Sequence, residues 1–279
     1  SICESRCCMP VIKANGIDIY YETRGEGTPL MLINGWGGNL DSWSDKMIDL
    51  LAEKQRVIMM DNRGTGRSDK PDTPYTMDMM AADTKGVLDS LGITKAHVMG
   101  FSMGGAITQT FGINYPETVL SLVICGASAG RENSVSSDPK VQMDLALIAN
   151  PLPEMTVRDI TIKLLYLLYS KEYVEEHLEE LVKDETYSDY PTPSFALMNQ
   201  SHAISTLNSY PHLPNLKVPV LILTGDDDVL VPRENSEKIA SQIPGSELVT
   251  IPGCGHGFLK QKTDEAVGHI LRFLDNVEC

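Results

Sequence analysis

The chain has 279 residues, 42% of them hydrophobic, which is enough for one large core and too ordinary a makeup for a disordered segment or a coiled coil. Acidic residues number 38 against 23 Lys and Arg, giving a formal charge of −15, and such a surface repels phosphate backbones and anionic lipid. Neither nucleic acid nor membrane is expected as a partner, and no stretch of eighteen apolar residues offers a membrane span.

Three of the six cysteines, Cys3, Cys7 and Cys8, crowd the first eight residues. A metal site would need further ligands at suitable spacing, and none follows nearby, so free thiols on an extension over residues 1–8 are expected. The start lacks the basic-then-apolar profile of a secretory leader, and a cytoplasmic location is expected.

Residues 11–22 predict two strands around Asn15-Gly16, the strongest short-range hairpin signal. Pro29 to Ile33 is an unbroken apolar run, the mark of a strand buried on both faces of a parallel sheet. It leads into the glycine-rich loop Asn34-Gly35-Trp36-Gly37-Gly38. Trp43, Met47, Leu50 and Leu51 then recur at helical spacing, predicting a helix over 40–54.

Arg56 to Asp61 predicts another buried strand. Met77, Met80, Ala81, Val87, Leu88 and Leu91 predict a helix over 76–91, stopped by Gly92. The strand that begins at Lys95 runs into Gly100-Phe101-Ser102-Met103-Gly104, which reads G-x-S-x-G, and a helix-compatible stretch to Tyr115 follows. A serine on a sharp strand-to-helix turn has its hydroxyl pushed out at the top of a sheet. The helix behind it aims N–H groups and its positive dipole end at any negative charge forming nearby. Val119 to Cys125 predicts a sixth strand, and the strand-helix alternation calls for a parallel sheet with right-handed crossovers.

Residues 131–210 break that rhythm. Pro151, Pro153, Pro191 and Pro193 punctuate long helical patterns such as 160–183, so an all-helical cap is expected, lying as a lid over the sheet's C-terminal edge. Within it, Leu164 to Tyr169 is apolar nearly all round and predicts burial, while Glu175, Glu176, Glu179 and Glu180 predict a solvated face. Strands then return at 218–224 and 247–251, each followed by a loop and a helix. The expected architecture is α/β, a mostly parallel eight-stranded sheet flanked by helices. Its core spans 9–130 and 211–279.

A serine is a weak nucleophile and needs a base of near-neutral pKa within hydrogen-bond reach as it attacks. Histidine meets that need. Of the six histidines, His256 alone sits in a Gly-rich loop between a buried strand and the final helix; His97, His177, His202, His212 and His269 are expected to be packing or surface residues. The third group must be an anion that holds the imidazole in the right tautomer, and Asp226, Asp227 and Asp228 compete for that role.

Serine, aspartate and histidine in this order, each in a loop after a strand, make the chain resemble the α/β-hydrolase fold family from Met9 onward. The resemblance favours Asp228, because Gly225, Asp228 and Pro232 match the family's G-x-x-D-x-x-x-P. It implies that the backbone amides of Met103 and Trp36 form the oxyanion hole, in a loop where the family usually has His-Gly and this chain has Asn34-Gly35. Asp61-x-Arg63-Gly64-x-Gly66-x-Ser68 is a further family hallmark, read as structural, with Asp61 and Arg63 tying loops together beneath the site. Trp36, Phe101, Met103 and Phe258 are expected to line the pocket, and Cys254 to be a small buried residue.

The resemblance implies a serine hydrolase that cleaves a carboxylic ester or similar acyl bond of a small molecule through an acyl-enzyme, with no cofactor and no metal, as a monomer or homodimer. Serine at the nucleophile position argues against dehalogenase or epoxide-hydrolase chemistry. Lactonase, thioesterase, acyltransferase, C–C bond hydrolase and cofactor-free perhydrolase chemistry all use the same three residues. A slow-turnover ligand receptor, as in plant hormone receptors of similar fold, is the reading from a different class.

Overall fold

A computed structural model describes residues 10–186 and 188–277; the expected extension over 1–8, with Cys3, Cys7 and Cys8, lies outside them. The eight expected strands form as β1 (Val11–Ala14), β2 (Ile17–Arg24), β3 (Thr28–Ile33), β4 (Gln55–Met60), β5 (Ala96–Phe101), β6 (Val119–Cys125), β7 (Val220–Gly225) and β8 (Glu247–Ile251). They lie in the order β1-β2-β4-β3-β5-β6-β7-β8. The β1–β2 hairpin and the β2–β4 pair are antiparallel, and every other pair is parallel.

Side chains alternate across a strand, so each apolar run feeds two cores. On one face Met31, Ile33, Ile58, Met60, Val98, Leu122 and Ile124 meet α2 (Met77–Ser90), α3 (Met103–Asn114) and α8 (Glu234–Gln242) through residues such as Val87, Phe111 and Ile239. On the other, Leu30, Leu32, Val57, Met59, Met99, Val123 and Leu221 meet α1 (Asp45–Ala52) and α10 (Thr263–Asp275) through Leu51, Val267 and Ile270.

The helix expected over 40–54 is two pieces, a 3₁₀ turn over Leu40–Ser42 followed by α1. Local side chains impose the break. Asn39 caps the turn by accepting from the Asp41 amide (2.9 Å), and Ser44 opens a fresh helix by accepting from the Met47 amide (3.2 Å).

Between β6 and β7 stand α4 (Pro139–Ala149), α5 (Val157–Leu168), α6 (Lys171–Thr186) and α7 (Ser194–Ser205). Among the described residues, this insertion's one β contact is the isolated bridge between Gly130 and Asn208. The pattern over 160–183 does not stay one helix: Tyr169 is extended (φ −122°), because the Leu168 carbonyl that would continue it accepts instead from the Gly257 amide. Leu165, Leu167 and Tyr169 are buried as expected and Tyr166 is exposed. Glu175, Glu176, Glu179 and Glu180 of α6 face solvent, with Glu179 paired to Arg158.

Beneath the site the loop after β4 is tied by its own charges. The Asp61 carboxylate accepts from the amides of Leu40 (2.6 Å) and Arg67 (2.7 Å), and burial pushes its pKa up. Arg63 donates to both oxygens of Asp83, at 2.6 and 2.7 Å. Among the described residues no helix is long and apolar enough to cross a membrane.

Candidate active site

Ser102 lies between the last residue of β5 and the first of α3 with φ 57° and ψ −119°. Among described non-glycine residues only Asn15, in the hairpin turn, shares a positive φ. The flanking glycines permit this geometry. A Cβ on Gly100 would fall 2.0 Å from the Gly104 carbonyl oxygen, and one on Gly104 would fall 2.0 Å from that of Ile33, so strand and helix meet backbone to backbone. Such a conformation costs about 1–3 kcal/mol. The surrounding core offsets it, and the Ser102 amide is anchored on the Cys125 carbonyl at 2.8 Å.

β7 delivers the acid and β8 the imidazole. Asp228 is buried; its Oδ1 accepts from the amides of Leu230 (3.0 Å) and Val231 (2.8 Å), and its Oδ2 lies 2.6 Å from His256 Nδ1. A carboxylate so placed holds the Nδ1 proton, leaving the lone pair on Nε2. Nε2 is itself buried and has no hydrogen-bond partner among the described residues, so the bond to the Ser102 hydroxyl is not formed in this conformation. Asp226 and Asp227 are exposed and make the turn contacts expected of them, to the amide and carbonyl of Cys254.

Phe101 and Gly126 bring these groups to one rim. The Phe101 ring lies 4.8 Å from the His256 ring. A Cβ on Gly126 would meet His256 Cε1 at 3.2 Å, Nδ1 at 3.3 Å and Asp228 Oδ2 at 3.7 Å. Ser102, Gly126, Asp228 and His256 thus follow the carboxyl ends of β5, β6, β7 and β8, neighbours in the sheet, where open α/β sheets place their ligand crevices.

The loop after β3 completes the rim. A Cβ on Gly35 would lie 3.2 Å from the Ser102 Cβ, so this loop touches the serine directly. The Met103 amide, first in α3, and the Trp36 amide, outside any regular element, have no acceptor among the described residues. Asn34 turns inward, donating to the Asn39 carbonyl (2.7 Å) while its own carbonyl accepts from Asn62 (3.1 Å). It braces the loop with a short amide where the family has an imidazole.

Two pocket expectations need correcting. Phe258, which opens the short α9 (Phe258–Gln261), is fully buried and stacks edge-on behind Phe101, with centroids 6.3 Å apart, because it belongs to the core under α10. The Met103 side chain is likewise core, which leaves only its backbone at the rim. Trp36 and Phe101 are partly exposed. The other histidines stand apart from the rim: His97 is buried against Ser121, and His202 bonds the Tyr75 carbonyl. Burial pushes the Cys254 thiol up to about 11, unsuited to a thiolate. Among the described residues no three His, Cys, Asp or Glu side chains are grouped as metal ligands.

Sequence reasoning missed Gly126, which carried a legible signal, a glycine directly after a buried strand.

A profile of the alpha/beta hydrolase fold matches residues 28–263. A RutD protein of Azorhizobium caulinodans, whose name assigns it carbamate hydrolysis, is 29% identical over 271 residues, covering 97% of this chain and 100% of that protein. A 2-hydroxy-6-oxononadienedioate/2-hydroxy-6-oxononatrienedioate hydrolase of Comamonas testosteroni is 27% identical, covering 92% of this chain and 91% of its own. Among solved structures, a thermophilic esterase from Thermogutta terrifontis matches with a TM-score of 0.80 at 26% identity, covering 97% of this chain and 98% of the other. With a profile spanning most of the chain, an eight-stranded sheet in this order and relatives that are hydrolases, the chain belongs to the alpha/beta hydrolase fold family.

Proposed function

We propose that the chain is a serine hydrolase that cleaves a carboxylic ester or similar acyl bond of a small molecule through an acyl-enzyme. The observation that carries this reading is the buried His256, whose Nδ1 is tied to Asp228 while its Nε2 is left without a partner at the rim where Ser102 stands. The bond from the Ser102 hydroxyl to Nε2 is the one this reading requires, and catalytic hydrogen bonds commonly tighten only when substrate binds.

Ser102 Oγ then attacks the acyl carbon as its proton passes to Nε2, and Asp228 stabilises the imidazolium. The carbonyl oxygen takes on negative charge facing the amides of Met103 and Trp36; losing one such donor typically costs ~100- to 1,000-fold in turnover. Collapse of the tetrahedral adduct expels the alcohol, which takes the proton from Nε2. Water, deprotonated by the same nitrogen, attacks the acyl-serine and releases the acid. The hydrogen bond from the Gly257 amide to the Leu168 carbonyl, which joins the helical insertion to the histidine loop, supports reading the insertion as a lid.

The names of the relatives span carbamate, ester and oxo-dienedioate hydrolysis, and the shared element is attack on a carbonyl. Steady-state release of p-nitrophenol from short-chain p-nitrophenyl esters tests the reading. Sustained turnover that Ser102→Ala abolishes without loss of fold supports it, and a single slow cycle points to a ligand receptor.

A further inference from the structure

The loop after β3 is held at its outer half from the insertion. Gln200 of α7 is fully buried; its Oε1 accepts from the Gly37 amide (2.8 Å) and its Nε2 donates to the Arg63 carbonyl (3.1 Å). One side chain thereby bridges the loop after β3 and the loop after β4. On the next peptide, 37–38, Thr192 Oγ1 donates to the Gly37 carbonyl at 2.8 Å. The Trp36 indole donates to the Leu197 carbonyl and to Ser201 Oγ, both at 3.0 Å.

These contacts fix the 36–37 peptide and the Trp36 side chain. The Trp36 amide belongs to the preceding 35–36 peptide, whose Gly35 carbonyl accepts from the Gly38 amide at 3.2 Å; with a peptide held on each side of the Trp36 α-carbon, its two soft dihedrals are set and the direction of its amide with them. That amide has no acceptor of its own, and it lies next to Gly35, which abuts Ser102. Gly37, at φ 71°, adopts a left-handed conformation that favours glycine, and a Cβ there would press on the end of the Leu197 side chain at 2.7 Å.

We propose that Gln200 is a positioning residue that sets the oxyanion hole from the insertion: by gripping the Gly37 amide, it aims the Trp36 amide at the oxygen that becomes negative during attack. This rests on the reading of Ser102 as nucleophile and Trp36 as oxyanion donor. Gln200 does not touch the reacting atoms. Its removal weakens binding of the transition state and leaves binding of the substrate nearly as it was.

The test compares wild type with Gln200→Met, which keeps the length and removes both hydrogen bonds, and Gln200→Glu, which keeps the acceptor for Gly37. With p-nitrophenyl acetate, Gln200→Met is expected to lower kcat on the order of 10- to 100-fold, less than outright loss of a donor, with KM within about twofold. Inhibition by phenylboronic acid, whose serine adduct mimics the tetrahedral oxyanion, should weaken by the same factor, and Gln200→Glu should fall in between. Should Gln200→Met fail to fold, the half-buried Thr192→Val, which releases the adjoining 37–38 peptide on the far side of Gly37, must show a smaller loss of kcat alone. Unchanged kcat in the folded variants, or a loss confined to KM, overturns the proposal. Failure of the underlying reading is distinguishable: wild type would then show neither turnover nor boronate inhibition.

Discussion

Replacing Gly126 by alanine separates the cost of backbone strain from the cost of disturbing the imidazole. Gly126 has φ 56° and Gly92, at the end of α2, has φ 69°, so alanine at either position suffers the left-handed penalty of about 1–2 kcal/mol. At Gly92 an added Cβ meets nothing within 4 Å, whereas at Gly126 it meets Cε1 and Nδ1 of His256 at 3.2 and 3.3 Å. Ordinary contact begins at 3.4 Å, so the ring must give by a few tenths of an ångström. Asp228 Oδ2, at 3.7 Å, is already in ordinary contact and stays. The ring therefore shifts relative to both its partners. A misplacement of ~1 Å costs ~100-fold in rate, and a few tenths scale to roughly 3- to 10-fold. Both variants should lose about 1–2 kcal/mol in urea denaturation; only Gly126→Ala should lose kcat toward p-nitrophenyl acetate, with KM held. Full kcat in Gly126→Ala at the expected stability loss would refute the placement of His256 in the reaction.

Two further predictions concern stability. Asp83→Ala leaves the Arg63 guanidinium buried, with side-chain exposure of 6%, without its carboxylate, and should cost about 3–5 kcal/mol in denaturant; a loss under about 1 kcal/mol would contradict a buried, structural pair. Burial pushes His97 down to about 4 from the ordinary 6.5. The unfolded chain therefore binds the extra proton between those values, so stability is fully present above pH 6.5 and drains as the pH falls toward 4, by at most about 1.4 kcal/mol per unit. His97→Gln should show a shallower slope across that window in urea titrations at successive pH values, whatever its absolute stability. Parallel slopes would contradict the assignment.

The parallel body was legible because its strands carry a signal that survives without context. Pro29 to Ile33 and Val119 to Cys125 must be buried on both faces, which demands apolar residues at successive positions. The rim was legible for a related reason: Ser102 and Asp228 come after such strands, and although β8 ahead of His256 is an edge strand with only Ile251 buried, the glycine-rich loop that carries the histidine marks its place. What stayed hidden depends on contacts distant in sequence. The break between α5 and α6 comes from Gly257 taking the Leu168 carbonyl, and the burial of Gln200 from two loops more than a hundred residues away. Phe258 follows a glycine-rich loop as a pocket residue would, yet its side chain turns into the core under α10. Direction of a side chain at a loop's end is decided by packing, which a linear pattern does not carry.

The central step of the proposed reaction is covalent capture of the acyl group by Ser102. Mixing the protein with p-nitrophenyl acetate, quenching in acid within the first turnover and mapping the peptides by mass measures it directly. One acetyl group on Ser102, absent from Ser102→Ala and accumulating when deacylation is slow, is the predicted result. Hydrolysis that proceeds in the Ser102→Ala variant, or an acetyl group found on another residue while Ser102 stays free, would contradict it.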